Sequence, residues 1–142
     1  MNIRMFRNED AEEVSALITR TLREVNSRDY SPAYIEADVA ALSADELRKR
    51  AAWTHFYVVE GDERIIGCGA IGPYWGKQDE SSLFNIFVLP EYHGRGIGRV
   101  IIETLEKDEF FRRAKRIEIP ASITATPFYR HMGYDYKNGV TE

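Results

Sequence analysis

One stretch constrains this chain more than all the rest: Phe84-Asn85-Ile86-Phe87-Val88-Leu89-Pro90-Glu91-Tyr92-His93-Gly94-Arg95-Gly96-Ile97-Gly98-Arg99-Val100-Ile101-Ile102. An apolar run of strand length stops at Pro90, a glycine-rich loop follows, and apolar residues then resume. The pattern predicts a buried strand, a tight loop and a helix in immediate succession. Gly94, Gly96 and Gly98 stand at alternate positions, which lets the backbone approach a ligand closely and turn its amides one way. A helix start adds N–H groups without intrahelical acceptors and the positive end of a dipole. Strand, loop and helix start together make an anion site, most often one for phosphate.

A Gly-x-Gly triple has little meaning alone, since glycine at roughly 7% of residues produces one by chance in a chain of this size. Its place between strand and helix is what gives it weight. Two familiar phosphate loops are excluded. The dinucleotide pattern G-x-G-x-x-G fails, because its third glycine is Arg99 counted from Gly94 and Ile101 counted from Gly96. The Walker pattern fails because no Gly-Lys-Ser or Gly-Lys-Thr occurs.

His93-x-x-Gly96-x-Gly98, after a strand ending in Val88-Leu89-Pro90, resembles the acyl-CoA loop of the GCN5-related N-acetyltransferase (GNAT) family. That family's pattern is Arg or Gln, two residues, Gly, any residue, then Gly or Ala. Ala125-Thr126-Pro127-Phe128-Tyr129-Arg130-His131-Met132-Gly133-Tyr134 resembles the family's late motif, an aromatic-Tyr pair followed by Gly-aromatic. Strand-like Arg116-Ile117-Glu118-Ile119 lies between the two, and the likeness spans roughly residues 1 to 140.

The resemblance implies an α/β fold of the GNAT acyl-CoA N-acyltransferase type, with a central mixed, largely antiparallel sheet flanked by helices. It implies one such domain over residues 1–142. Acetyl-CoA would be the acyl donor. Backbone groups of Phe87, Val88 and Leu89 would bond its pantetheine arm in the manner of an added strand. Amides of Gly94, Arg95, Gly96, Ile97, Gly98 and Arg99 would take the pyrophosphate, and the Arg95 and Arg99 side chains can add charge. His93 stands where the family has Arg or Gln, and its ring can donate a hydrogen bond. Ser122, seven residues before Tyr129, stands where the family often has Asn against the cofactor. Tyr129 matches the tyrosine that donates to the departing CoA thiolate when an amine attacks the thioester directly. A thiolate with an intrinsic pKa of roughly 8.5 needs only modest acid help, which a phenol near 10 supplies. The family usually closes with a further strand after the Gly-aromatic step, whereas this chain stops at Glu142.

The acceptor sets the need for a general base. A lysine-like amine with a pKa of about 10.4 is neutral about one time in a thousand near pH 7.4, a handicap of about 4 kcal/mol. An α-amino group near pKa 8 loses about 1 kcal/mol at most. Glu80, Asn85 with a water, and Glu91 lie near the right segment, and the base stays unassigned. Asp29, Tyr30, Tyr34, Glu36, Tyr74 and Trp75 could form an aromatic, acidic mouth for a cation or belong to an ordinary polar surface.

The single Cys68 sits between Gly67 and Gly69 in an apolar run and reads as a small buried residue. An acyl-cysteine would need an activating histidine or cation beside it. His55, His93 and His131 show no metal spacing, so no metal is expected. One cysteine permits no internal disulfide, the N-terminus has no apolar stretch behind its charges, and no apolar run approaches 18 residues. A cytoplasmic protein without a membrane partner is expected. The net charge of −4 disfavours nucleic acid. Lys107, Arg112, Arg113, Lys115 and Arg116 read as cations complementing a helix C-terminus.

Elsewhere, Ile3 to Phe6 predicts a first strand, and Asp10 with Glu13 a capping box for a helix to about Ser27. Ser31-Pro32 predicts a second helix burying Ile35, Val39 and Leu42, and Ser43 with Glu46 a short third one. Trp53 to Glu60 and Arg64 to Ile71 predict a hairpin turning at Gly61-Asp62-Glu63, followed by a polar loop over 72–80. A strand from Leu83, a helix from Gly98 to Phe111, a strand at 115–119, a helix from Pro127 to Met132 and a strand from Tyr134 to Lys137 complete the reading.

The expected function is acetyl transfer from acetyl-CoA to a primary amine, on a small molecule or a peptide, and a homodimer is compatible with it. The rival is an acyl-CoA-binding or sensing module without turnover. An unrelated nucleotide-binding regulator is disfavoured by the two failed phosphate patterns.

Overall fold

The structure, a computed structural model, describes residues 1–73, 80–119 and 126–132. Five strands form one sheet in chain order: β1 (Asn2–Met5), β2 (His55–Gly61), β3 (Arg64–Pro73), β4 (Glu80–Val88) and β5 (Arg116–Glu118). The first four pair antiparallel, and β5 joins β4 in parallel. This is the mixed, largely antiparallel sheet that the sequence predicts. Helices α1 (Ala11–Glu24), α2 (Pro32–Ala41) and α3 (Ala44–Ala51) connect β1 to β2, while α4 (Ile97–Glu106) and α5 (Glu109–Arg113) connect β4 to β5. Helix α6 (Thr126–His131) comes after β5. The strand expected over Tyr134 to Lys137 and most of the loop over 72–80 lie outside the described residues.

Local chemistry accounts for much of this. Asp62 and Glu63 both take positive φ, 53° and 63°, between paired Gly61 and Arg64. A two-residue turn of this kind matches the twist of the strands it joins. Ser31 Oγ accepts the Tyr34 amide at 3.2 Å, with Pro32 at the first helical position. Ile35 is buried, and Val39 and Leu42 pack against the core from partly buried positions.

Three expectations need correction. Asp10 and Glu13 do not form a capping box. The Asp10 carboxylate takes two bonds from Arg4, at 2.8 and 3.0 Å, and one from the Arg7 amide at 2.7 Å, while Glu13 accepts the Ile65 amide at 2.7 Å. Ser43 does accept the Glu46 amide at 3.4 Å, but the Glu46 carboxylate reaches Lys49 instead of returning to the cap. The single helix over 98–111 is two helices. Asp108 ends the first and caps the second by accepting the Phe110 amide at 2.9 Å, and its other bonds come from Tyr57 Oη at 2.6 Å and His55 Nδ1 at 2.8 Å.

The sheet has two distinct faces. Gly67 and Gly69 present one of them to α4. A Cβ at Gly69 would stand 2.6 Å from Ile101 Cγ2, so the helix lies directly on the strand. Cys68 points to the other face by alternation. Ala70 shares that face, and so do Phe87 and Phe84, which pair with Cys68 and Ala70. The Arg50 guanidinium of α3 lies over the Phe84 ring, placing α3 on the same side.

Candidate functional site

Strand β4 changes character along its length. Ser81, Ser82 and Leu83 are buried, and Glu80 to Ser82 pair with β5, with Ser81 and Ser82 also paired to β3. The pairing with β5 ends at Ser82 and Glu118. From Leu83 to Val88 no strand among the described residues covers the outer edge, and Phe84 to Val88 are half-buried where the sequence predicts a buried run. The change coincides with a bulge: Cys68 pairs with Phe87 but Ala70 with Phe84, leaving Asn85 and Ile86 opposite Gly69. Asn85 takes a φ of 53°, a left-handed conformation that asparagine tolerates better than most residues.

Each of Phe87, Val88 and Leu89 meets a different backbone environment. Leu89 spends its amide on the Ile66 carbonyl at 2.9 Å. Alternation turns the Phe87 backbone the same way, towards β3, and the Val88 backbone outward. The Val88 carbonyl accepts His93 Nε2 at 2.7 Å, so that nitrogen carries the proton, and Thr21 Oγ1 stands 3.4 Å from the same oxygen. His93 thus ties the loop to the end of the strand.

The loop and helix start meet the requirements of an anion cradle. Gly94 and Gly96 have φ of 78° and 79°, and a Cβ built on either would touch nothing within 4 Å. The space in front of them is open, while the backbone conformation favours glycine. Gly96 caps α4, so the amides of Ile97, Gly98 and Arg99 open the helix without intrahelical acceptors, and the first return bond runs from Val100 to Gly96. Gly98 serves packing instead, since a Cβ there would stand 3.0 Å from the Phe128 ring. Its bareness seats α6 against α4. The Ile97 side chain is buried, Arg99 is exposed, and Arg95 lies over the Tyr92 ring at 5.0 Å.

With Phe128 seated on Gly98, Tyr129 is carried inward and is 8% exposed. Burial first, and the charge that Cys68 would bear second, push its phenol well above the ordinary value of 10. The side chain therefore stays protonated across the physiological range. Cys68 is fully buried, its Sγ–H donates to the Asn85 carbonyl at 3.2 Å, and burial pushes its thiol up to about 12. A neutral thiol without a base beside it is no nucleophile. Glu91 is also accounted for. Hydrogen bonds from Arg20 first, and from Arg64, hold its carboxyl down at about 2, too acidic for a useful base. Of the expected mouth, Tyr30 and Tyr34 stack at 4.5 Å, Glu36 is paired with Arg23, and Tyr74 and Trp75 lie outside the described residues. Ser122 lies outside them too.

Two features of this region are absent from the sequence reading. The bulge at Asn85 depends on register, which no local pattern encodes. Arg50 donates from Nη1 to Asn85 Oδ1 at 3.0 Å and lies beside Phe84 and Trp53. A basic residue in the last turn of a helix ordinarily reads as a complement to the dipole. Among the described residues no group of three or more His, Cys, Asp or Glu could hold a metal ion, and no helix is long and apolar enough to cross a membrane.

Known proteins share this fold. The model of the acetyltransferase (GNAT) family matches residues 19–134. The uncharacterized N-acetyltransferase YafP of Escherichia coli (strain K12) is 27% identical over 134 residues, which cover 94% of this chain and 81% of YafP. The crystal structure of PaiA N-acetyltransferase from Thermoplasma acidophilum in complex with coenzyme A superposes with a TM-score of 0.79 at 19% identity, covering 99% of this chain and 92% of that one. A GNAT family acetyltransferase from Brucella melitensis in complex with acetyl-CoA gives a TM-score of 0.70 at 26% identity, covering 95% and 82%.

Proposed function

Because the chain belongs to the acetyltransferase (GNAT) family, we propose that it transfers an acetyl group from acetyl-CoA to the primary amine of a small molecule or peptide, by direct attack. The observation that carries this reading is the end of β4 that no strand among the described residues covers, which runs into the open Gly94–Gly96 loop and the start of α4, where Phe128 packs on Gly98 and is followed by the protonated Tyr129. Bound acetyl-CoA supplies a thioester carbonyl carbon, at which an amine nitrogen gains a C–N bond as the C–S bond breaks.

The chain's own residues then have defined roles. The outward backbone of Val88 offers the edge for an extended amide-bearing arm, with His93 fixing the carbonyl. The amides of 94–99 face a pyrophosphate, assisted by the helix dipole. Arg99 is exposed beside them, and Arg95 can leave Tyr92 to join it. Ser122 is the remaining residue assigned to cofactor contact. Tyr129 holds a proton at Oη for the departing sulfur. Its raised pKa does not disqualify it, because the same burial raises a thiol: Cys68 next to it stands at about 12. The amine loses one proton and the sulfur gains one.

The test is calorimetric titration with acetyl-CoA, with ATP as the control ligand, followed by CoA-thiol release with a panel of amines. Saturable binding of acetyl-CoA alone and turnover with one amine class are expected. No binding at millimolar acetyl-CoA would overturn the reading. Binding without turnover of any amine would favour a sensing module.

A further inference from the structure

The last turn of α3 carries three consecutive cations with different fates. Arg48 pairs with Asp45 and Glu12, and Lys49 pairs with Glu46, all at the surface. Arg50 turns inward and is half-buried. Its Nη1 donates to Asn85 Oδ1 at 3.0 Å, with its Cζ 4.9 Å from the Phe84 ring centre and 5.9 Å from that of Trp53. Among the described residues no carboxylate lies within 4.0 Å of it. Complementing the dipole of α3 would not require this burial, and Arg48 and Lys49 already supply that charge.

The position of Arg50 is as informative as the absence of a contacting carboxylate among the described residues, Glu46 one turn back acting on it only through space. Arg50 sits on the face of the sheet opposite α4 and its phosphate-type loop. It grips the side chain of the one β4 residue with positive φ, and the carbonyl of that residue takes the Cys68 thiol. Arg50 is therefore linked through Asn85 to Cys68 and to the half-buried stretch of β4, on the side that the donor's phosphates would not occupy. A guanidinium has five N–H donors in a planar fork. One is used by Asn85, and the aromatic rings attract the cation without neutralising it.

We propose that Arg50 is the anion receptor of the acceptor site, and that the acceptor is a primary amine bearing a carboxylate, as in an amino acid. This rests on the N-acetyltransferase reading. The planar fork matches a carboxylate in bidentate fashion, and Asn85 fixes its orientation. Arg50 is a specificity-determining residue and moves no proton.

Two measurements test it. In ¹⁵N-labelled protein, the Arg50 Nε–Hε resonance is identified by its loss in Arg50→Lys, and the wild type is titrated with N-acetyl-L-alanine and with N-acetyl-L-alanine amide. The resonance should shift with the acid and stay fixed with the amide. In the second, kcat/KM is compared for free L-amino acids and their amides. The acids should be preferred at least tenfold, although the amide's amine is the less basic of the two. Arg50→Gln should abolish that preference through the acceptor KM and leave acetyl-CoA affinity unchanged, which also reports that the variant is folded. Equal use of acids and amides, a preference that survives in Arg50→Gln, a resonance silent to carboxylates, or one moved only by O-phosphoethanolamine would each overturn the proposal. If acetyl-CoA is neither bound nor used while the resonance responds to the acid, the transferase reading fails and the receptor stands.

Discussion

The two ends of β4 are built from the same strand and differ in one neighbour. At the Glu80–Ser82 end β5 lies alongside, Ser81 Oγ donates to the Phe110 carbonyl at 2.7 Å, and Leu83 just beyond is 1% exposed. At the Phe84–Val88 end β5 is gone, the residues are half-buried, and the Val88 carbonyl meets the ring of His93 and the hydroxyl of Thr21. The bulge at Asn85 marks the changeover. A sheet that loses one strand partway exposes ladder groups that a ligand can satisfy. One end of β4 can therefore be core while the other is a site, without any change of element.

The contrast predicts separable damage. The largest effect belongs to the buried residue just beyond the paired end. Leu83→Ala should destabilise the protein by about 3 kcal/mol, the ordinary cost of a cavity at a fully buried leucine. Urea denaturation should show this as a lower midpoint, with KM for acetyl-CoA and kcat unchanged below the transition. A large rise in KM would mean that the two ends are mechanically coupled. Tyr129→Phe comes next and should do the reverse, lowering kcat about 100-fold, the lower range for a lost general acid. Calorimetry should find acetyl-CoA affinity and stability close to those of the wild type. Undiminished kcat would remove Tyr129 from the chemistry.

Gly96→Ala is smaller again. Forcing a Cβ into the left-handed region costs about 1 kcal/mol, and there is room in front of the residue, so strain alone is the expected penalty. The loop should either keep its shape at that cost or relax. Relaxation would raise KM for acetyl-CoA about tenfold, equivalent to about 1.4 kcal/mol, without altering kcat. An unchanged KM and an unchanged melting temperature together would show that the positive φ is dispensable.

What could be read from the residues follows how local their causes are. The hairpin at Asp62-Glu63, the Ser31 cap and the strand–loop–helix passage each have partners a few residues away, and the sequence announces them. Asp10 and Glu13 match a capping box in spacing, but Arg4 and the Ile65 amide, from two strands, compete for them and win. Asp108 is legible as a helix cap, being an aspartate followed by Glu109, yet the apolar pair Phe110 and Phe111 masks it by extending the pattern of the helix before. Its bonds to His55 and Tyr57 could not be foreseen, because they cross from one element to another. The glycine loop and Tyr129 are legible through resemblance. Asn85 and Arg50 are not, since a bulge and an inward-turned cation arise only when β3, β4 and α3 are assembled.

At neutral pH the smallest expected effect lies at Cys68, which pairs with Phe87 beside the bulge. Its folded-state pKa is raised to about 12 by burial, against an unfolded value near 8.5. The group is held neutral, so the sign is that of a raised acid. Its contribution to stability is fully present below about pH 8.5 and is lost as pH rises towards the folded value, by about 1.4 kcal/mol per pH unit. At neutral pH nothing should be visible: a thiol reagent such as DTNB should leave the native protein untouched at pH 8 and titrate one thiol in guanidinium. The stability of Cys68→Ala should fall less steeply than that of the wild type between pH 8.5 and 10.5, even though the variant starts lower for want of the sulfur. Rapid reaction of the native thiol would show that the bulge opens at Asn85, whose carbonyl accepts the Sγ–H. In that event the site and the core share a moving boundary, and the division of β4 into two independent ends fails.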